Sequence, residues 1–393
     1  MAATGAAAGA SPAPLRRTPL FEAARAAGGR MVPFAGWEMA VQFGGLVQEH
    51  QAVRQRCGLF DISHMGVLLL RGPDVKDALQ GLVPSDLFRI GPGEACYTVL
   101  LNAGGGILDD LIVYDLGWRE SAGAGQADSE PSGCHELLLV INAACAEADT
   151  AWLRSRLEPL GVTISDAKGD GVLLALQGPE ASARLEALGA ESLAGLPRFG
   201  HRRLQLHGIG EAFVGRTGYT GEDGFELLLE QTAGLALWDR LLESGVAPCG
   251  LGARDSLRLE AAMHLYGHDM DAGTTPLEAS LGWLVHLEMP RPFIGREVLE
   301  RQTAEGVTRR LVGLQLEGRA IPRHGYPVLA EGTAPGSEPV GRITSGGWSP
   351  TLEAGIALAS VPAELARIGT HLAVEIRGRA EPATVVKRPF YRR

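Results

Sequence analysis

ACYTVLLN at residues 95–102 is followed directly by AGGG at 103–106 and ILDDLIVYD at 107–115. Two apolar runs rich in strand-forming residues flank four small ones, which predicts an antiparallel hairpin over Ala95–Asn102 and Ile107–Asp115. Side chains alternate across a strand, so Asp109 and Asp110 are expected to point to opposite faces, one to solvent and the other to the interior or a cavity. A carboxylate held inward beside Ile107, Leu111 and Val113 must be paired or lose its hydration. That raises its pKa and suits it to proton handling. A pair of turn-closing aspartates explains the same spacing equally well.

Outward from this hairpin, Val67–Leu70 reads as a short strand and residues 74–82 as a helix. Residues 116–133 (LGWRESAGAGQADSEPSG) are polar and low in complexity; they read as a flexible insertion, 118–133 at its core, leading to a strand at Glu136–Asn142. Strands and helices then alternate through Val172–Leu176, Ala181–Leu188, Phe225–Leu229 and Leu235–Leu242. Leu46–Arg56 has helical spacing and many polar residues, which predicts a surface helix. Past Pro290-Arg291-Pro292 the chain turns strand-rich, with runs at Arg310–Leu316, His371–Ile376 and Thr384–Val386, marking a separate last domain. Residues 1–16 are read as a disordered tail without a targeting face. The class is α+β.

A chain of 393 residues exceeds the usual size of one domain. Its net charge of −10 argues against a general nucleic-acid or anionic-membrane binder, which needs a basic face. Only Lys76, Lys168 and Lys387 are lysines, so the other basic residues are arginines; with so many alanines and glycines this reflects composition, not a ligand. Five widely spaced cysteines, an odd number with no C-x-x-C, fit neither a disulfide framework nor a zinc site. No apolar run approaches the about 18 residues of a membrane span.

GYTGEDGFE (218–226) is the second candidate stretch. Glycines frame a tight turn, and Glu226 stands in an apolar strand where a carboxylate needs a dedicated partner. Arg254 or Arg258 from ARDSLRLEAAM could pair with it, or a ligand bearing adjacent N–H donors could. His264 and His268 have metal-clamp spacing but no third ligand, and a turn role is preferred. Asp61, Ser63 and His64 are too close in sequence to form a relay, so a helix N-cap role or a buried hydrogen bond is preferred. Phosphate-loop, zinc-protease and nucleophile-elbow motifs are absent.

In order, RTPLFEAARAAGGRMVPFAGWEMAVQF, CGLFDISHMG, YTVLLNAGGGILDDLIVY, LLALQGP, GRTGYTGEDGFEL, LGARDSLRLEAAMHLYGHD and TPLEASLGWLV resemble the aminomethyltransferase (T-protein) family of the glycine cleavage system. GRITSGGWSPTLEAGIALA and KRPFY resemble that family's last domain. The likeness runs from about Arg17 to Tyr391, interrupted mainly by the 118–133 insertion.

The resemblance implies a three-domain cloverleaf around a central folate-binding channel: residues 17–66 with 171–285, then 67–170, then a β-rich domain at 286–393. It implies tetrahydrofolate as co-substrate, no metal, and an aminomethyl group on the dihydrolipoyl arm of the H-protein as the donor, with a functional link to the P- and L-proteins. Folate N5 attacks the methylene carbon, ammonia leaves, and 5,10-methylenetetrahydrofolate forms. By the same match Asp110 is the critical carboxylate, with Asp109 turned away in a structural role. Glu226 binds the pterin, and Arg254 and Tyr391 contact ligand. Tyr97, Tyr114, Tyr219 and Met65 line the channel, and Asn142 is a further polar contact. The Ala-rich tail leans to a bacterial cytoplasm, with an organelle matrix as the alternative.

Two other readings compete, the second of them a domain from a demethylating oxidase of methylated glycines or a sulfonium demethylase. A folate-binding relative serving iron–sulfur maturation carries K-G-C-Y-x-G-Q-E, where this chain has GYTGEDGFE. A demethylating oxidase would carry a large flavin module, for which 393 residues leave no room.

Overall fold

The computed structural model describes residues 14–120 and 133–393. Most of the expected tail and insertion lies outside the described residues. The hairpin forms as expected, with Ala95–Leu101 antiparallel to Ile107–Glu120 and Val99 opposite Asp110. Its turn is closed by the Asn102 side chain, which accepts from the Gly104 and Gly106 amides at 2.9 and 3.1 Å. Gly105 adopts φ +77°, and a Cβ on Gly106 would lie 1.9 Å from the Ala272 carbonyl oxygen. Glycine is therefore required here for both conformation and space. The second strand continues to Glu120, where Trp118–Glu120 pair with Gly133–His135, so the insertion opens later than the composition suggested.

This hairpin edges a five-stranded sheet. Its remaining strands, in order, are Gly133–Ile141, Gly66–Gly72 and Thr163–Asp166. One face, carrying Leu111, Val113, Leu137 and Leu139, packs on the helices Val75–Gln80 and Ala146–Leu157. The other face, with Val67, Tyr114 and Leu138, packs against Phe60, Leu173, Ala175 and Phe213 of a six-stranded sheet. That second sheet runs His201–Leu206, Gly210–Gly215, Gly224–Leu229, Val172–Gln177, Gly58–Asp61 and Ala247–Pro248. Its far side is covered by Ala181–Ala187 and by Gln231–Glu243 through Leu185, Leu237 and Trp238. Two sheets thus face each other, each with helices on its outer side. Every fully buried leucine or valine in these layers contributes about 1.5–3 kcal/mol.

From Arg309 onward the chain closes a six-stranded barrel filled by Val312, Leu314, Val328, Ile343, Val374 and Val385, confirming a mixed α+β protein whose last domain is β-rich. A helix at Arg296–Glu305 precedes the barrel, within the stretch read as strand-rich. Buried polar groups bind the barrel to the Leu251–Glu260 helix. Arg258 holds Asp269 at 3.0 Å and Ser345 at 2.9 Å, and Glu260 accepts from Thr351 at 2.9 Å.

One expectation is reversed. Leu46–Gln55 is helical, but Glu49, His50, Ala52, Val53 and Arg54 are buried, so it is not a surface helix. Its polar side chains find partners far along the chain: Glu49 accepts from the Gly250 amide at 2.8 Å, His50 meets Ser256 at 2.8 Å, and Arg54 reaches Glu260 at 2.8 Å. Polar residues can be buried when every donor and acceptor is met in this way.

Candidate active site

The strand alternation that builds the two sheets also delivers one carboxylate to each inner face. Asp110 shares its face with Ile112 and Tyr114, and Glu226 shares the facing one with Leu228. A narrow cavity between the sheets is lined by Val67, Tyr114, Leu138, Leu173, Leu228 and Glu226, with Glu226 its one carboxylate.

Asp110 is held at the end of the neighbouring strand. Asn142 follows Ile141, and its amide nitrogen lies 2.8 Å from Asp110 Oδ1 and 2.8 Å from Asp109 Oδ1. The Asn142 backbone N–H donates to the other Asp109 oxygen at 3.1 Å. Of the pair, Asp110 keeps partial exposure, and the member set wholly into the interior is Asp109. It lies on the helix side of the sheet yet is tied to the same amide as Asp110. Burial, and then the negative charge of Asp109, raise the Asp110 pKa from 3.8 to about 7; Tyr97 and Asn142 partly offset this. A carboxyl group tuned to neutrality can both hold and release a proton under working conditions.

Tyr97 stands beside Asp110, its phenol pushed up by burial and by the Asp110 charge. Its ring stacks on Trp283 at 6.0 Å between centroids, leaving the indole 65% exposed. Tyr219 sits under the Arg254 guanidinium, 4.7 Å from ring centroid to cation, and its hydroxyl donates to the His264 carbonyl.

Of the two arginines that could pair with Glu226, neither does. Arg258 is committed to Asp255 and Asp269. Arg254 has no carboxylate within ion-pair distance among the described residues, and burial lowers its pKa. Glu226 accepts a 2.7 Å hydrogen bond from Thr217, whose hydroxyl also meets Tyr114 at 3.0 Å. Burial raises the Glu226 pKa, opposed by Thr217 and the Arg254 charge.

Asp110, Tyr97, Asn142, Tyr219, Arg254 and Glu226 are thus assembled around the inner faces, with Met65 packed nearby. Tyr114 is only 1% exposed and supports Glu226 through Thr217 from below. Tyr391 covers the Arg54 guanidinium at 4.1 Å, near Glu222 and Arg393, and its backbone N–H donates to the Glu260 backbone carbonyl. Thr217 escaped the sequence reading, since a lone threonine before a glycine turn carries no signal of its role. His264 and His268 do not converge: the first meets the Ala279 carbonyl at 2.7 Å and the second packs on His324. Asp61, at the end of its strand, caps no helix; it accepts from the Ser63 backbone N–H and from the hydroxyl of the distant Thr18.

The sequence profile of the GCVT N-terminal domain matches residues 20–128 and 131–289, and that of the glycine cleavage T-protein C-terminal barrel domain matches 309–392. The chain belongs to the glycine cleavage T-protein family. Among its relatives, the aminomethyltransferase of Synechococcus sp. (strain RCC307) is 70% identical over 376 residues, covering 96% of this chain and 99% of that one. That of Prochlorococcus marinus (strain MIT 9303) is 65% identical over 384 residues, covering 96% and 98%. The solved structure of glycine cleavage system aminomethyltransferase T from Bartonella henselae superposes with a TM-score of 0.84 at 34% identity, covering 96% of this chain and 98% of that one. The activity is accordingly that of an aminomethyltransferase, a transferase of the glycine cleavage system. Among the described residues no helix is long and apolar enough to cross a membrane.

Proposed function

We propose that the chain moves the methylene carbon of an aminomethyl group, carried on the dihydrolipoyl arm of an H-protein, to tetrahydrofolate. The bonds from that carbon to nitrogen and sulfur are exchanged for bonds to folate N5 and N10. Ammonia and the lipoyl thiol leave with the two protons the folate nitrogens give up, and 5,10-methylenetetrahydrofolate is formed. The observation that carries this reading is Glu226 itself, a carboxylate in an apolar strand, held by Thr217 and with no cationic side chain at ion-pair distance among the described residues. A pterin is flat, largely apolar on its faces, and presents a ring N–H beside an amino group, which one carboxylate can accept together. Thr217 occupies one Glu226 oxygen, fixing the carboxylate plane.

Asp110, on the opposing inner face, serves the reacting end. As a carboxylate it stabilises the cationic character that builds on the methylene carbon as ammonia departs. With its pKa near 7 it also accepts and returns a proton without a large penalty in either direction. Arg254, with no carboxylate at ion-pair distance among the described residues, suits an anionic portion of the ligand. In this reading the domains are residues 17–66 with 171–285, 67–170 and 286–393, with folate lying where they meet. The P- and L-proteins act before and after this step, in a bacterial cytoplasm.

The test is ammonia release from aminomethylated H-protein with and without tetrahydrofolate. Folate-dependent release supports the proposal; folate binding without release would favour a non-transferring folate protein.

A further inference from the structure

Behind Asp110, on the helix side of its sheet, lies a second group of acids that the transfer chemistry does not use. Asp149, on the Ala146–Leu157 helix, is 4% exposed. The carboxyl oxygens of Asp109 and Asp149 and the Cys145 sulfur lie within 4.8 Å of one another. Asp149 Oδ2 is buried with no hydrogen-bond donor reaching it. The charged groups acting on Asp149 are Asp109, which it contacts, and Asp110. Tyr97 faces this group from the hairpin, Tyr266 from the loop beyond the Leu251–Glu260 helix, and Cys145 from the helix N-terminus. All three are groups that burial keeps protonated. Tyr219 and Arg254 act on Asp110 from the opposite side.

Two buried carboxylates in contact, with only a third carboxylate and no basic side chain acting on Asp149 among the described residues, hold one proton between them more favourably than two charges. Hydrogen bonding decides where it resides. Asp109 accepts an N–H from Asn142 on each of its oxygens, the pattern of an ionised acceptor. Asp149 has an oxygen that nothing satisfies.

We infer that Asp149 is a positioning residue: it carries a proton at neutral pH and donates it to Asp109, which in turn fixes the Asn142 amide that holds Asp110. The relay runs Asp149–Asp109–Asn142–Asp110, and only its last member faces the reacting atoms. Burial and the contact with Asp109 push Asp149 up to about 9, which keeps this proton in place across the range where Asp110 titrates.

Asp149→Asn keeps a donor toward Asp109 but removes the acid, whereas Asp149→Val removes both. Infrared spectroscopy, at a pH between the titrations of Asp110 and Asp149, should show a protonated-carboxyl carbonyl band in the wild-type protein. That band should vanish in Asp149→Asn and persist in Cys145→Ala. In turnover, Asp149→Asn should stay within about twofold of wild type, while Asp149→Val should lose about tenfold in kcat with folate affinity unchanged. The inference is overturned if the band survives in Asp149→Asn, if both variants lose kcat equally, or if Asp149→Val turns over normally. A stoichiometric divalent cation in purified protein, lost in Asp149→Asn, would also overturn it. Should Asp149→Val not fold, the infrared comparison decides alone. The kinetic arm rests on the methylene-transfer reading and the infrared arm does not, so a silent assay with the expected band behaviour faults only that reading.

Discussion

Asn142 Nδ2 lies 2.8 Å from Asp110 Oδ1, and the same nitrogen lies 2.8 Å from Asp109 Oδ1. A single amide thus holds two consecutive carboxylates that strand alternation sends to opposite faces. It can do so because it sits just past the end of the adjacent strand, where a side chain can reach around the sheet edge. The buried Asp109 charge then raises Asp110 from behind while the amide orients it.

Activity should therefore rise with pH through about 7, as the Asp110 carboxylate forms. Asp110→Asn should lose about 100-fold or more in turnover and abolish this limb. Its stability should move the other way. The folded protein holds a proton on Asp110 that the unfolded chain has released, so stability falls as pH rises from the ordinary 3.8 toward about 7. Above that range Asp110→Asn should be more stable than wild type by about 1 kcal/mol, read from thermal melts in alkaline buffer.

Glu226→Ala should leave the fold intact and weaken tetrahydrofolate binding by at least about tenfold in calorimetry, because a charge-assisted acceptor for two donors is gone. Unchanged affinity would remove Glu226 from the ligand site.

Thr217→Val preserves shape but deletes the hydroxyl between Tyr114 and Glu226. That hydrogen bond lowers the Glu226 pKa against burial, so its loss should push the pKa further up. Folate affinity should drop about three- to tenfold, and more steeply as the buffer is made acidic. A binding titration across pH checks both.

The two arginines of the Leu251–Glu260 helix should behave oppositely. Arg258→Met strands the buried Asp269 carboxylate and should cost about 3–5 kcal/mol in denaturant unfolding. Arg254→Met breaks no ion pair among the described residues and should unfold nearly as wild type while binding ligand more weakly. Equal losses of stability would show that Arg254 is structural as well.

The hairpin was legible because its information is local: apolar alternation sets the strands, and Gly105 and Gly106 meet the turn's conformational and steric demands. The convergence of Arg254 and Glu226 with Asp110 followed from the family resemblance and not from spacing. The helix at Leu46–Gln55 was misplaced because its polar face reads as solvated until Gly250, Ser256 and Glu260, some 200 positions away, arrive to bury it. Thr217 and Asp149 gave no sign either, for each acts only through a residue on another element.

Residue order alone thus established the strand pattern, the paired aspartates, the glycine turns and the ordered motifs of the family. Tertiary structure decided that Asp109 is the wholly buried member of the pair, that Glu226 has a threonine and, among the described residues, no arginine as partner, and that Arg258 serves the barrel contact while Arg254 meets no carboxylate at ion-pair distance among those residues. The reason is physical: backbone periodicity is written in neighbours, whereas ionisation and hydrogen-bond satisfaction depend on which distant groups share the same buried space.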